Sequence, residues 1–295
     1  MGKDPIFIDF SLLFTTELKT ESIEFILKAG EKINAHFIPV IHLNDDDEIK
    51  NIVSTLLKET GKGICLRLIC NDFSSIEELN NNLSNFLSKY KLAENLVDLL
   101  IDIKEVGNNK KEYDKYFSLG HDIANLKKWR TYTFASGSFL EDLSSCKIDD
   151  ENLVPRLDWI QWQEKNSNDK LIRKPSFSDY TIQYPIYKDV TQFFPPTTSI
   201  KYTLKDEWLV MKGKKQRFEL YLANAATLVD DDRFYGEKYS EGDKYVVEKA
   251  KHFPKYIEEK NRGNNIRGTG STETWLKASI NHHLTVAANQ FSTLT

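Results

Sequence analysis

The feature that most constrains this chain is the alternation, through its first half, of short apolar runs with stretches of helical spacing. Ile6 to Phe10, Phe37 to Leu43 (FIPVIHL), Ile64 to Cys70 (ICLRLIC), Leu96 to Ile103 (LVDLLIDI) and Thr131 to Ala135 are brief, largely apolar runs. Between them apolar residues recur three and four apart. The first set is Ile23, Ile26, Leu27, Gly30 and Ile33; the second is Ile49, Ile52, Val53, Leu56 and Leu57; the third is Leu79, Leu83, Phe86 and Leu87. The runs mark strands and the spaced sets mark amphipathic helices. Gly61-Lys62-Gly63 stops the second helix and Ser74 or Ser75 caps the third. Tyr113 to Trp129 reads as a fourth helix and Leu157 to Trp162 as a sixth strand.

Strands joined by helices of about 10–15 residues pair in parallel, because each crossover carries the chain back to the end it left. Near-continuous apolar strands suit a parallel sheet covered on both faces. A closed barrel and an open doubly wound sheet both satisfy these constraints. The even spacing of the units, and the lack of a Gly-rich phosphate loop after the first strand, favour the barrel. The expectation is an α/β fold of TIM-barrel-like repeated βα units over residues 1–170. An α+β C-terminal extension over 171–295 then packs on the barrel as part of one structural unit.

That second part has a different texture, richer in Tyr, Pro and short β-like runs. Asp179 to Tyr184 (DYTIQY) alternates as a strand does. Ser199 to Leu204 and Trp208 to Met211 flank Lys205-Asp206-Glu207 as a hairpin. Asp230 to Tyr239 reads as a polar, aromatic loop, Glu241 to Ala250 as a helix and Arg262 to Thr272 as a Gly-rich loop. A last helix spans Thr274 to Phe291. Its main apolar stripe is Leu276, Ile280, Leu284, Ala287 and Phe291, flanked by His283, with Trp275, His282 and Val286 on the opposite side. Apolar character on two sides predicts burial between layers.

Composition removes several function classes. Forty basic residues stand against 44 acidic ones, so no global positive field draws nucleic acid or an anionic membrane. With 40% hydrophobic and 12% aromatic residues the chain can bury a large core. No run of about 18 apolar residues exists, so no membrane partner is expected. Cys65, Cys70 and Cys146 have no paired spacing, which argues against a disulfide framework and fits a cytoplasmic setting.

Chemistry in a barrel gathers at the C-terminal ends of its strands, where this chain places Asp9, His42, Arg67, Asp102 and Ser136. Arg67 could grip a phosphate or carboxylate, or simply pair with Asp102. His282 and His283 are adjacent, so on a helix they point about 100° apart and do not share a metal. No HxxxH or HExxH spacing accompanies them, and neither metal nor cofactor is expected. Asp102 and His282 are the catalytic candidates, His282 either as a general base or as a packing histidine. The candidate binding set is Arg67, Asp179, Tyr180, Tyr202, Trp275, Asn281 and His283.

An ordered series of short stretches runs nearly the whole length. It comprises FIPVI at Phe37 to Ile41, ICLRL at Ile64 to Leu68, DLLIDI at Asp98 to Ile103 and ASGSF at Ala135 to Phe139. FSDYTIQYP at Phe177 to Pro185, IKYT at Ile200 to Thr203, WLVMKG at Trp208 to Gly213, YSEGD at Tyr239 to Asp243 and Trp275 with Asn281-His282-His283 complete it. Through these stretches the chain resembles the bacterial and phage family known as Beta protein. The resemblance implies further strand–helix material before the segment matching Pro5 to Phe10, so the barrel is expected to be incomplete at its N-terminus or completed by a partner. It also implies a mobile-element or anti-phage defence setting. The leading expectation is a defence protein with a barrel-like pocket recognising a ligand, a nucleotide or nucleic acid. The alternatives are a non-catalytic interaction or sensor subunit with a protein partner or as an oligomer, and a metal-dependent phosphoesterase using Asp9, Asp102 and Asp179.

Overall fold

The computed structural model describes residues 4–13, 16–107, 110–188 and 197–293. In chain order its first elements are β1 (Pro5–Asp9), α1 (Thr16–Lys32), β2 (His36–His42), α2 (Asp47–Thr60), β3 (Ile64–Ile69), α3 (Ile76–Tyr90), β4 (Val97–Glu105), α4 (Lys110–His121) and β5 (Thr131–Gly137). There follow β6 (Glu151–Pro155), α5 (Leu157–Asn166), β7 (Ser176–Ser178), β8 (Thr197–Thr203), β9 (Glu207–Lys215), α6 (Glu219–Val229), α7 (Glu241–Asn261) and α8 (Thr272–Ser292). The chain forms two units: Met1–Ser136 with Gln161–Ser178, and Gly137–Ile160 with Asp179–Thr295.

The first unit is a six-stranded sheet in the order β1-β2-β3-β4-β5-β7. The β1–β2, β2–β3, β3–β4 and β5–β7 pairs are parallel. Spatial order follows chain order without a reversal, so there is no switch point of the kind that defines a doubly wound sheet. Among the described residues the sheet ends at β1 and β7, six strands rather than the eight of a closed TIM barrel. Register places Asp9 beside Val40, Val40 beside Cys65 and Cys65 beside Asp98, with His42 beside Arg67 on the same face. The opposite face of β4 carries Val97, Leu99, Ile101 and Ile103, all buried. α3 shows the helical logic in full. Ser75 accepts from the Glu78 amide at its start, Leu79, Leu83, Phe86 and Tyr90 form its buried stripe, and Lys91 ends it in the left-handed region at φ 54°.

The second unit is a three-stranded antiparallel sheet, β6-β9-β8, with α6, α7 and α8. The expected hairpin at Lys205-Asp206-Glu207 joins β8 to β9. One core gathers Ile200, Tyr202 and Leu209 with Tyr221, Leu228, Val246 and Trp275. Another gathers Val154, Trp208 and Val210 with Phe139, Cys146 and Ile182.

Four expectations are corrected. Leu157 to Trp162 is the start of α5, not a strand; Trp159 and Trp162 are both buried, and a three-residue interval suits a helix. Asp179 to Tyr184 is a turn, because the Asp179 carboxylate accepts from the Thr181 amide at 2.9 Å and Thr181 sits at φ 57°, which breaks an extended strand. α4 stops at His121, and Asn125 at φ 56° separates it from a short 3-10 turn at Leu126–Lys128. On α8 the buried residues are Trp275, Ala278, Ser279, His282, His283 and Val286, whereas Leu284 of the predicted main stripe is 54% exposed. The two histidines go inward because acidic and hydroxyl partners meet them there.

Candidate functional site

Two polar clusters arise, one in each unit. In the first unit the strand ends bring together Asp9, His42, Arg67 and Asp102. The Arg67 guanidinium donates to Asp102 through Nε at 2.8 Å and bonds both carboxylates through its terminal nitrogens. His42 Nε2 lies 3.5 Å from Asp9. Burial resists the charge of Asp9, but hydrogen bonds from His42 and Ser11 and the Arg67 charge outweigh it and hold its carboxyl far below the usual range. Arg67 and Asp102 therefore pair with each other, and the candidate acid Asp102 already has a cation on it. A cavity of about 250 Å³ lies beside them, lined by Ser11, His42, Asp45 and Asp72.

The second unit holds a longer network, most of it buried. Ser240 caps α7 by accepting from the Asp243 amide, which sets the Asp243 side chain inward. Asp243 Oδ1 accepts from the Tyr202 hydroxyl at 2.7 Å, and Oδ2 accepts from Ser240 at 2.5 Å and faces His282 Nδ1 at 2.8 Å. The other His282 nitrogen faces the Thr203 carbonyl at 2.9 Å. Carboxylate and carbonyl between them engage both nitrogens of the ring. Tyr202 stacks on this ring at 3.9 Å between centroids, and Tyr235 meets it edge-on. Burial, together with the Asp243 charge, drives the Tyr202 phenol far above its usual range, against a hydrogen bond from the Tyr235 amide.

Thr203 links this group to the second histidine. Its hydroxyl is 3.0 Å from His283 Nδ1, and His283 Nε2 is 2.8 Å from Asp179. Two carboxyls here are pushed in opposite directions. Burial and the Asp179 charge raise Asp158 to about 6, against the Ser138 hydrogen bond and Arg156. Burial also opposes the charge of Asp179, but the His283 hydrogen bond and charge, the Thr181 amide and Arg156 hold its pKa low. Arg156 is fully buried over the Trp159 and Trp208 rings. Its Nη1 donates to the Leu204 and Lys205 carbonyls and to Gln290. Among the described residues its Nε and Nη2, the Trp208 Nε1 and the Asp158 Oδ2 are buried without a hydrogen-bond partner.

A cleft of about 680 Å³ lies directly outside this core. Pro155, Leu204, Lys205, Arg233, Phe234 and Tyr235 are among its walls, so the carbonyls that hold Arg156 belong to residues of the cleft wall.

Against this geometry, a family model described as Beta protein matches residues 1–289. The chain belongs to the Beta protein family. No curated protein and no solved structure matches it. Of the sequence candidates, this family member joins Asp179, Tyr202, His282 and His283 in one network. Trp275 and Asn281 serve α8 instead. Trp275 donates to the Thr269 carbonyl at 2.8 Å and stacks on Tyr221, while Asn281 accepts from the Gly242 amide. Gly242 has no room for a side chain, since a Cβ there would meet the Ala278 carbonyl oxygen at 2.1 Å. Tyr180 packs on Gly137. Arg67 and Asp102 belong to the other unit. Among the described residues no three of His, Cys, Asp and Glu gather as a metal site, and no helix is long and apolar enough to cross a membrane. Asp243, Thr203, Arg156, Asp158 and Ser138 are network members that sequence reasoning missed. The signal available for Asp243 was its place in YSEGD ahead of α7, where it reads as an ordinary first-turn acid.

Proposed function

We propose that this protein is a ligand-recognition component of a mobile-element or anti-phage defence system, and that its recognition site is the second-unit cleft. The observation that carries the reading is the wall of that cleft, which sets the Phe234 and Tyr235 rings beside Lys205 and Arg233. Behind that wall, Arg156 Nε and Nη2 and the Trp208 indole are donors buried without a hydrogen-bond partner among the described residues. Two cations on the wall suit an acceptor-rich group such as a phosphate, a carboxylate or a nucleobase edge. Phe234 and Tyr235 offer faces for a planar ring, and Lys205 offers charge at the rim. A nucleotide or a single-stranded nucleic-acid end combines all three features. The histidines favour binding over catalysis: His282 has no free nitrogen to act as a base, and His283 is held by Thr203 and Asp179. The sequential order of the six strands goes with a barrel-derived fold.

Calorimetric titration of the full chain with nucleoside mono- and triphosphates and a short single-stranded DNA tests this. Binding by at least one probe is expected, weakened about tenfold or more by Lys205→Ala with Tyr235→Ala at an unchanged unfolding midpoint. Binding by none of them, or binding indifferent to both substitutions, would overturn it.

A second reading, an interaction or sensor subunit, is favoured by β1. It is an edge strand with Ile6 46% and Phe7 43% exposed, a surface suited to pairing with a strand of another protein. Native mass spectrometry of the protein purified from its host tests it. A stoichiometric protein partner lost on Phe7→Asp supports this reading, and a lone chain counts against it.

A further inference from the structure

A separate cavity of about 290 Å³ opens beside β8, the edge strand of the second-unit sheet. Ile182, Leu276 and Trp275 give it apolar walls, and Ser199, Ser279 and Thr272 add hydroxyls. One cation lines it. Lys201 shares a sheet face with Val210, its neighbour in register, and that face packs on Phe139, Cys146 and Ile182. The ammonium nitrogen sits 4.6 Å from the centre of the Phe139 ring and makes a long hydrogen bond of 3.3 Å to the Ile182 carbonyl. Among the described residues no carboxylate lies within 4.0 Å of it. Lys165, also partly buried, instead has Asp114 at 2.7 Å.

A lysine set in an apolar pocket without a counter-charge is easier to deprotonate, and the free amine is a nucleophile. Burial lowers the Lys201 pKa to about 8, so a large share of it is neutral at mildly basic pH. We propose that Lys201 is a carbonyl-reactive amine that takes a small aldehyde or ketone as a Schiff base inside this cavity. The amine nitrogen adds to the carbonyl carbon and gives a carbinolamine. A C=N bond then forms as the carbon–oxygen bond breaks, and the carbonyl oxygen leaves as water with the two amine hydrogens. No oxidant or reductant is consumed. The cavity volume suits a small carbonyl compound, and the wall hydroxyls can accommodate a polar substituent. The site is distinct from the cleft at Lys205 and Tyr235 and does not depend on what binds there.

The test treats the full chain at pH 8 with limiting propanal and sodium cyanoborohydride, which traps the imine as a secondary amine, followed by peptide mapping. Lys201 is expected to label at least tenfold faster than Lys277, whose side chain is 74% exposed. Its rate should saturate with propanal and fall about tenfold or more from pH 8 to pH 6, while the rate at Lys277 stays linear in propanal. Labelling of Lys201 no faster than Lys277, or linear in propanal, would overturn the proposal and leave Lys201 as a packing cation over Phe139.

Discussion

His282 and Asp243 form a buried pair, 2.8 Å apart, in which both ring nitrogens are engaged, since the second faces the Thr203 carbonyl at 2.9 Å. Removing one partner of such a pair strands the other's charge out of water, which costs about 3–5 kcal/mol. Asp243→Asn should therefore lower the urea unfolding free energy by about 3 kcal/mol. Asp243 also accepts from Tyr202 and Ser240, so the same change loosens the Tyr202 stack. A loss under about 0.5 kcal/mol, the range of ordinary surface substitutions, would contradict the pairing.

Asp9 should set part of the acid limit of stability. Its folded pKa lies well below the ordinary 3.8, so the folded state binds its proton less readily than the unfolded state. Its contribution is present above about pH 4 and is lost as pH falls toward the folded value. Asp9→Asn should cost about 1–2 kcal/mol at pH 7, through the lost charged hydrogen bonds, and should flatten the decline below pH 4. An unchanged acid limb in urea melts would refute this.

Asp158 predicts the opposite slope. Its folded pKa, about 6, lies above the ordinary 3.8, so its favourable contribution is present below pH 3.8 and is lost as pH rises through 6. Asparagine keeps an oxygen for the Ser138 hydroxyl, which bonds Asp158 at 2.7 Å, and abolishes the titration. Relative to the wild type, Asp158→Asn should gain about 1–3 kcal/mol between pH 4 and pH 7. A difference independent of pH would show that Asp158 is ionised throughout.

Much of the first unit could be read from the chain because its strands are covered on both faces and so read as unbroken apolar runs, as Ile64 to Cys70 does. The Arg67–Asp102 pair followed from the same logic, since an inward charge in a sheet needs a partner. The errors fell where two periods compete. DYTIQY alternates like a strand, yet its Asp side chain closes a turn on Thr181. LDWIQW is a short apolar-rich run that reads as a strand, yet Trp159 and Trp162 belong to a helix. On α8 apolar character on two sides predicted burial of both, whereas the Trp275, His282 and Val286 side is buried and Leu284 of the other stripe is 54% exposed. What decided the face was long-range chemistry, from Asp243 39 residues away and Asp179 104 residues away, which no local window contains. Arg156 escaped notice for the same reason: its partners Leu204, Lys205, Trp208 and Gln290 lie far along the sequence.

The most direct test of the recognition site is hydrogen–deuterium exchange of the full chain with and without each probe of the nucleotide and single-stranded DNA panel. Protection is predicted at residues 203–207 and 232–239, which carry Lys205, Phe234 and Tyr235. Protection confined to residues 9–11, 42–45 and 67–72 at the first-unit strand ends, or none with any probe, would contradict it.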